Sequence, residues 1–178
     1  MAYCIKCGSQ TDWLIPELDT HPRDVCTRCD YIHYVNPSPI VGVLPIYKGK
    51  VLLCKRNIEP KKNFWTLPAG FMEVNESIEE GALRELDEEA GVSAKIVFLQ
   101  SVFSMTYVNQ VYMMFLGQLD SDRCNPGEET LEARFFLKEE VPWDELAFKP
   151  VTFSLKAYFK DPDSRETVVG SDYLYPQM

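Results

Sequence analysis

The chain has 178 residues, 46% of them hydrophobic and 25% charged, which suits one ordinary domain with a small appendage and excludes wholesale disorder. Eighteen Lys and Arg against 27 Asp and Glu leave a net charge of −9, which disfavours broad binding to nucleic acid or anionic membranes. No run approaches about 18 apolar residues, and Met1-Ala2-Tyr3-Cys4-Ile5-Lys6-Cys7 has no apolar stretch after a basic start, so a soluble, cytoplasmic, reducing setting is expected.

The first motif is cysteine spacing. Cys4-x-x-Cys7 and Cys26-x-x-Cys29 stand 18 residues apart, the pattern of two knuckles joined by one metal ion. A structural zinc site is the expected reading; iron in the same thiolate cage and ordinary thiols are the alternatives. Disulfides do not suit a reducing setting, and a redox pair needs only one Cys-x-x-Cys beside a βαβ pattern. Residues 1–35 carry Lys6, Arg23 and Arg28 against Asp12, Glu17, Asp19, Asp24 and Asp30, a balance of −2 that four thiolates around Zn²⁺ make more negative. An acidic ribbon is a poor partner for a phosphate backbone, so it reads as a metal-stapled structural or dimer-forming module. Cys54, within Val51-Leu52-Leu53-Cys54, is expected to be a buried small hydrophobe and Cys124 an exposed turn residue.

A polar linker at Val35-Asn36-Pro37-Ser38-Pro39 separates this ribbon, 1–35, from a second domain, 36–178. Ile40–Tyr47 and Val51–Arg56 around Lys48-Gly49-Lys50 read as a β-hairpin, followed by a short strand Phe64–Leu67. Lys95–Met105, Val111–Leu119 and Leu131–Leu137 read as further strands, the second nearly all apolar and therefore central. Val151, Leu155, Tyr158 and Phe159 make one helical face closed by Asp161-Pro162, and the tail from Asp161 is polar with Tyr173 and Tyr175 scattered in it. The fold class is therefore a layered α/β domain behind a small ribbon.

Between strands, Ser77 with Glu80 forms a capping box and Gly91 a helix stop, which predicts a helix over Ile78–Ala90. Ile78, Ala82, Leu83, Leu86 and Ala90 form its core arc. At 100° per residue, Glu89 lies about 40° to one side of Glu85 and Glu88 about 60° to the other. Three carboxylates crowded at the edge of a buried face repel one another, which fits a hard-cation site for Mg²⁺ or Mn²⁺; an acidic solvated face is the alternative. Gly81 on the same band is read as leaving room for an ion or phosphate, and Arg84 with Glu76 as a pair that orients the carboxylates.

These residues resemble the Nudix hydrolases. Gly70, Glu76, Arg84, Glu85, Leu86, Glu88, Glu89, Gly91 and Val92 fill every fixed place of the family's box, G-x5-E-x7-R-E-U-x-E-E-x-G-U with U aliphatic. The resemblance implies an α/β/α sandwich with a mixed sheet over roughly Pro39–Lys160. It also implies Mg²⁺-dependent cleavage within the diphosphate of a nucleoside-diphosphate-linked substrate. It gives Glu85 and Glu89 as metal ligands and Glu88 as a ligand directly or through water. Arg84 and Glu76 complete the catalytic set, with Arg56 and Gly70 as substrate-binding candidates; plain surface charge is the alternative for Arg56. A base outside the box is sought among Glu128, Glu129 and Glu132, or within the box itself. Tyr107, Trp143 and Phe148 are candidates to stack on a substrate ring, or core aromatics.

A zinc ribbon before such a domain is similar to two groups. NADH pyrophosphatases carry a proline- and tryptophan-rich stretch after the box, where this chain has Gln100-Ser101-Val102-Phe103-Ser104. Plant chloroplast FAD diphosphatases and their bacterial relatives are the nearer likeness. They resemble this chain at Val51-Leu52-Leu53-Cys54-Lys55-Arg56-Asn57-Ile58, Trp65-Thr66-Leu67-Pro68-Ala69-Gly70, Pro126-Gly127-Glu128-Glu129-Thr130-Leu131-Glu132 and Asp144-Glu145-Leu146-Ala147-Phe148. That likeness implies FAD cleaved to AMP and FMN, ADP-ribose as a second substrate, and a homodimer. The alternatives are NADH hydrolysis, removal of a dinucleotide cap from RNA, and a non-catalytic ligand-sensing module.

Overall fold

The computed structural model describes residues 2–173, which form two compact units that divide between Asn36 and Pro37. In the first unit, β1 (Thr11–Leu14), β2 (Arg23–Cys26) and β3 (Ile32–His33) form a three-stranded antiparallel sheet in that order. These short strands carry little apolar alternation, and the sequence pattern does not disclose them.

In the second unit the hairpin forms as the turn residues dictate. β4 (Ser38–Tyr47) pairs antiparallel with β5 (Lys50–Arg56), Tyr47 facing Lys50, so only Lys48 and Gly49 make the turn. Both have positive φ, 48° and 78°, as a tight hairpin with native twist requires. Two short strands follow, β6 (Trp65–Thr66) against β5 and β7 (Ala69–Phe71) against β4. Helix α1 spans Ile78–Ala90 with the Ser77–Glu80 capping box formed in both directions and Gly91 in the left-handed region, φ 62°.

β8 (Ala94–Met105), β9 (Gln110–Leu119) and β10 (Thr130–Phe136) complete the strands expected from sequence; α2 (Lys149–Lys160) follows, then β11 (Val168–Ser171). The sheet runs β10-β5-β4-β9-β8-β11. β4–β9 and β8–β11 are parallel and the other pairs along it antiparallel, so the sheet is mixed. The apolar strand β9 is indeed interior. The polar tail supplies an edge strand that its composition hides, held further by Lys149 Nζ on both carboxylate oxygens of Asp172 at 2.7 Å. Tyr175 lies outside the described residues.

Alternation along β4 sends neighbouring side chains to opposite faces. Val41 and Val43 pack with Ala82, Leu86 and Ala90 of α1; Ile40 and Leu44 pack with Val151, Leu155 and Tyr158 of α2. One helix on each face makes the three-layer α/β/α sandwich. Beneath α2 the packing includes a buried polar seam, where Ser101 and Ser154 hydroxyls meet at 2.6 Å. Cys54 is buried as expected, whereas Cys124 is half-buried beside the α1 layer rather than exposed, the adjoining Asn125 amide donating to the Ala90 carbonyl at the end of α1 at 2.9 Å.

Candidate functional site

Glu85, Glu88 and Glu89 of α1 take different positions on the helix rim. Ala82, Leu86 and Ala90 point straight into the sheet, so the neighbouring arc carries Glu85 and Glu89 half-buried and leaves Glu88 more exposed. The glycines explain how carboxylates reach so close to backbone. A Cβ on Gly70 would overlap the Glu85 carboxylate itself, so the bare backbone of β7 makes room for that acid. At Gly81 the sequence expectation is corrected. The space holds Glu76 Oε1, 2.5 Å from where a Cβ would sit, and Val41 Cγ2 at 2.9 Å; it is packed by the protein and offers nothing to an ion.

Arg84 holds the acids together. Its Nε donates to Glu76 Oε2 at 3.0 Å and its two terminal nitrogens to Glu85 Oε1 at 2.7 Å, Glu88 Oε2 at 3.1 Å, Glu76 Oε1 at 2.9 Å and the Phe71 carbonyl at 3.1 Å. A guanidinium has five N–H donors, so Arg84 is fully committed to the protein and keeps none for a ligand. Glu76 also accepts from the Glu73 amide at 2.6 Å.

Above this floor opens a cavity of about 700 Å³, a size that takes a dinucleotide-like ligand. Seven glutamates line it, at positions 59, 73, 85, 88, 89, 128 and 129, against two cations, Arg84 and Arg56. Among the outside-box acids, Glu128 and Glu129 border the cavity, while Glu132 sits on β10 opposite Lys55 and does not. Of the proposed ring-stacking residues only Phe148 borders it. Tyr107 lies in an exposed 3₁₀ turn, and Trp143 packs edge-on against Phe159; neither lines the cavity. Residues the sequence did not single out also border it: Phe71, Tyr112 and Gln110. Phe71 and Tyr112 both pair with Ile40, one on each side of β4, so the wall is a row across three strands that no local signal reveals. Asn57, also unexpected, fastens the acidic loop: its amide donates to the Glu129 carbonyl and its side chain to the Glu128 carbonyl, both at 2.8 Å.

The electrostatics suit a missing positive charge. Burial, with Glu85 and then Glu129 nearby, pushes the Glu89 carboxyl up to about 8, although Arg56 and the Ala69 amide pull it down. Burial also raises Glu85. An all-oxygen set of acids that resist ionising together fits a hard divalent cation, with Glu85, Glu89 and Glu88 as the residues that would hold it.

In the first unit the four thiols converge closely enough to share one metal ion. Their sulfurs all lie within 4.8 Å; Cys4 Sγ–Cys29 Sγ is 3.7 Å and Cys7 Sγ–Cys26 Sγ 3.5 Å. Those spacings exceed a disulfide bond of about 2.05 Å and match the edge of a tetrahedron with metal–sulfur bonds of about 2.3 Å. The Lys6 amide donates to Cys4 Sγ and the Arg28 and Cys29 amides to Cys26 Sγ, each at 3.4 Å, fixing both knuckles. Ser9, through hydroxyl and amide, draws Cys7 down to about 6. Cys29, despite the Tyr31 amide, is pushed up to about 12 by Cys26 and Cys7. One thiolate thus suppresses the next, and a dication removes that conflict; the donor set fits Zn²⁺.

Two measurements check these assignments. A strong chelator that removes zinc is expected to melt the 2–36 unit while the second unit keeps its cooperative transition, seen as separate phases in calorimetry or amide exchange; an unchanged first unit would refute the metal staple. Glu76 is held down to about 2 by Arg84 and then the Glu73 amide, from an unfolded value near 4.5. Its stabilisation is therefore complete above pH 4.5 and lost as pH falls toward 2. Glu76→Gln should lower Tm at neutral pH, with the gap to wild type closing across that window; a gap independent of pH would reject the Arg84 pairing as its source.

Comparison with known proteins agrees with this geometry. Residues 36–159 match the NUDIX domain and residues 2–35 the family described as Nudix N-terminal. An ADP-ribose pyrophosphatase of Methanocaldococcus jannaschii is 31% identical over 66% of this chain and 71% of its own length. An NAD-capped RNA hydrolase NudC of Haemophilus influenzae is 31% identical over 81% of this chain, which spans only 54% of that relative. The crystal structure of a NUDIX hydrolase from Nitrosomonas europaea superposes with a TM-score of 0.91 at 43% identity, covering 97% of this chain and 99% of that one. With the carboxylate helix, its arginine clamp and both sequence matches in place, the chain belongs to the Nudix hydrolase family and is an enzyme of it.

Proposed function

We propose that this protein hydrolyses the diphosphate bond of nucleoside-diphosphate-linked small molecules with Mg²⁺ or Mn²⁺, acting on ADP-ribose and on FAD, the latter to AMP and FMN. The observation that carries the reading is the charge inventory of the cavity: a floor of glutamates, one arginine saturated by protein, and one arginine with donors to spare. A diphosphate cannot approach seven carboxylates unless cations intervene. Glu85 and Glu89 would hold a divalent cation, with Glu88 beside them directly or through water, and the cation would supply charge neutralisation for the diphosphate and acidify the attacking water. Arg84 and Glu76 keep these carboxylates in place, and Gly70 gives Glu85 its room. Arg56 binds a non-bridging phosphate oxygen, and Glu128 or Glu129, at the cavity edge, accepts the proton of the water. ADP-ribose is supported by the Methanocaldococcus jannaschii relative, FAD by the sequence stretches shared with the plant enzymes.

Cleavage of NADH or of a dinucleotide cap on RNA is the second reading, supported by the NudC relatives. The acidic first unit speaks against the RNA branch, which would require steep salt dependence. Six unpaired thiols suit a reducing, cytoplasmic location.

Product analysis on ADP-ribose, FAD, NADH and capped RNA tests the assignment. Wild type with Mg²⁺ should release AMP from ADP-ribose and FAD with the highest kcat/KM. Glu89→Gln should cut turnover by about a thousandfold or more, the loss of roughly 4 kcal/mol of charge stabilisation, and leave the fold intact. Absence of cleavage with either metal would end the reading. Homodimerisation belongs to the same proposal. Trp13, Ile15 and Leu18 of the first unit are exposed by 67%, 58% and 100%, apolar surface that association would cover. A monomeric sedimentation mass at micromolar concentration would remove the dimer.

A further inference from the structure

We propose that Phe148 is a positioning residue for substrate phosphate: its ring fixes the guanidinium of Arg56, among the described residues the cavity cation with uncommitted donors, and thereby selects diphosphate-bearing ligands. The inference rests on the phosphate-binding role given to Arg56 above. The Arg56 guanidinium carbon lies 5.2 Å from the centre of the Phe148 ring, within the range where a cation is held by an aromatic face. From another side, its Nε donates to the Pro60 carbonyl at 2.9 Å. The stack and the single hydrogen bond restrain the group and leave its terminal nitrogens for two oxygens of a ligand, the fork geometry suited to phosphate.

Both partners are mounted rigidly. Arg56 closes β5, where its amide donates to the Phe64 carbonyl and its carbonyl accepts from the Asn63 amide, each at 2.9 Å. Phe148 caps the start of α2, its carbonyl accepting from Val151 and Thr152. The adjoining Ala147 amide donates to the Trp65 carbonyl at 2.8 Å, pinning this segment to β6. An arginine held in one rotamer loses less entropy on binding than a free one, which is where the affinity arises. An aliphatic residue at 148 would fill the wall and give up the hold on the guanidinium.

The test is a double-mutant cycle of Phe148→Leu and Arg56→Ala, with Phe148→Tyr as the conservative control. ADP-ribose supplies the kinetics, and a non-hydrolysable methylene analogue of ADP supplies direct binding by calorimetry. Phe148→Leu should raise KM and the analogue's Kd about tenfold with kcat within a few-fold of wild type, and Phe148→Tyr should restore both. In the Arg56→Ala background, Phe148→Leu should add nothing, because its effect passes through the guanidinium. Equal and additive losses in both backgrounds would overturn the proposal and make Phe148 a direct substrate contact. A fall in Tm with unchanged KM would overturn it in favour of plain packing. Wild type that neither binds the analogue nor cleaves any diphosphate would overturn the phosphate reading and this inference together. Cleavage by wild type with an unaffected Phe148→Leu variant would remove this inference alone.

Discussion

Repulsion among the carboxylates of α1 is the constraint on which the rest of the second unit depends. Glu85, Glu88 and Glu89 share one rim of a short helix, and burial makes Glu85 and Glu89 harder to ionise. Arg84 offsets part of that cost by spending all five donors on Glu76, Glu85, Glu88 and the Phe71 carbonyl. The arginine also ties the loop before the helix to the helix itself, so the site is held by the same bonds that order the turn between β7 and α1. Glu89 receives no such bond and stays the most strained acid. The site thus carries more negative charge than its own arginines offset.

Steric room is allotted as tightly as charge. Gly70 yields its volume to Glu85, and Gly81 yields to Glu76 and Val41. Substituting either would drive a carboxylate from its place, so these glycines act on the chemistry through packing. At the other end of the helix, Gly91 and Gly127 let the loop carrying Glu128 and Glu129 settle against the backbone of α1; a Cβ on either would overlap Asn125 or Glu88 main-chain atoms. Asn57 holds that loop from the sheet side. The acids that reach the cavity from outside the box are placed by contacts made far from them in sequence.

The first unit solves a different problem with the same logic. Some 35 residues bury too little apolar surface to fold unaided, and four thiols drawn within 4.8 Å supply the missing cohesion once a dication joins them. Its short strands follow from that closure. Their apolar residues stay largely outside, which is why no periodicity announced them.

Local rules were sufficient wherever the determining residues are neighbours. The capping box, the Gly91 stop, the hairpin at Lys48-Gly49, the paired Cys-x-x-Cys knuckles and the 3.6-residue spacing of the glutamates all read directly from the chain, and each reappears in the structure, the turn one residue tighter than the sequence suggested. Apolar, β-prone runs bounded by turn residues likewise marked the strands that face a core. What the chain could not disclose is set by registers between distant strands. The Phe71–Ile40–Tyr112 row, the seat of Arg56 between Phe148 and Pro60, and the exclusion of Tyr107 and Trp143 from the cavity arise only when separate segments are aligned. The edge strand in the polar tail belongs to the same class, since backbone pairing with β8 needs no apolar signature. Sequence determines which groups are present and their local geometry; tertiary structure decides which of them share a cavity, because side-chain facing has a period of two and a one-residue shift in register reverses it.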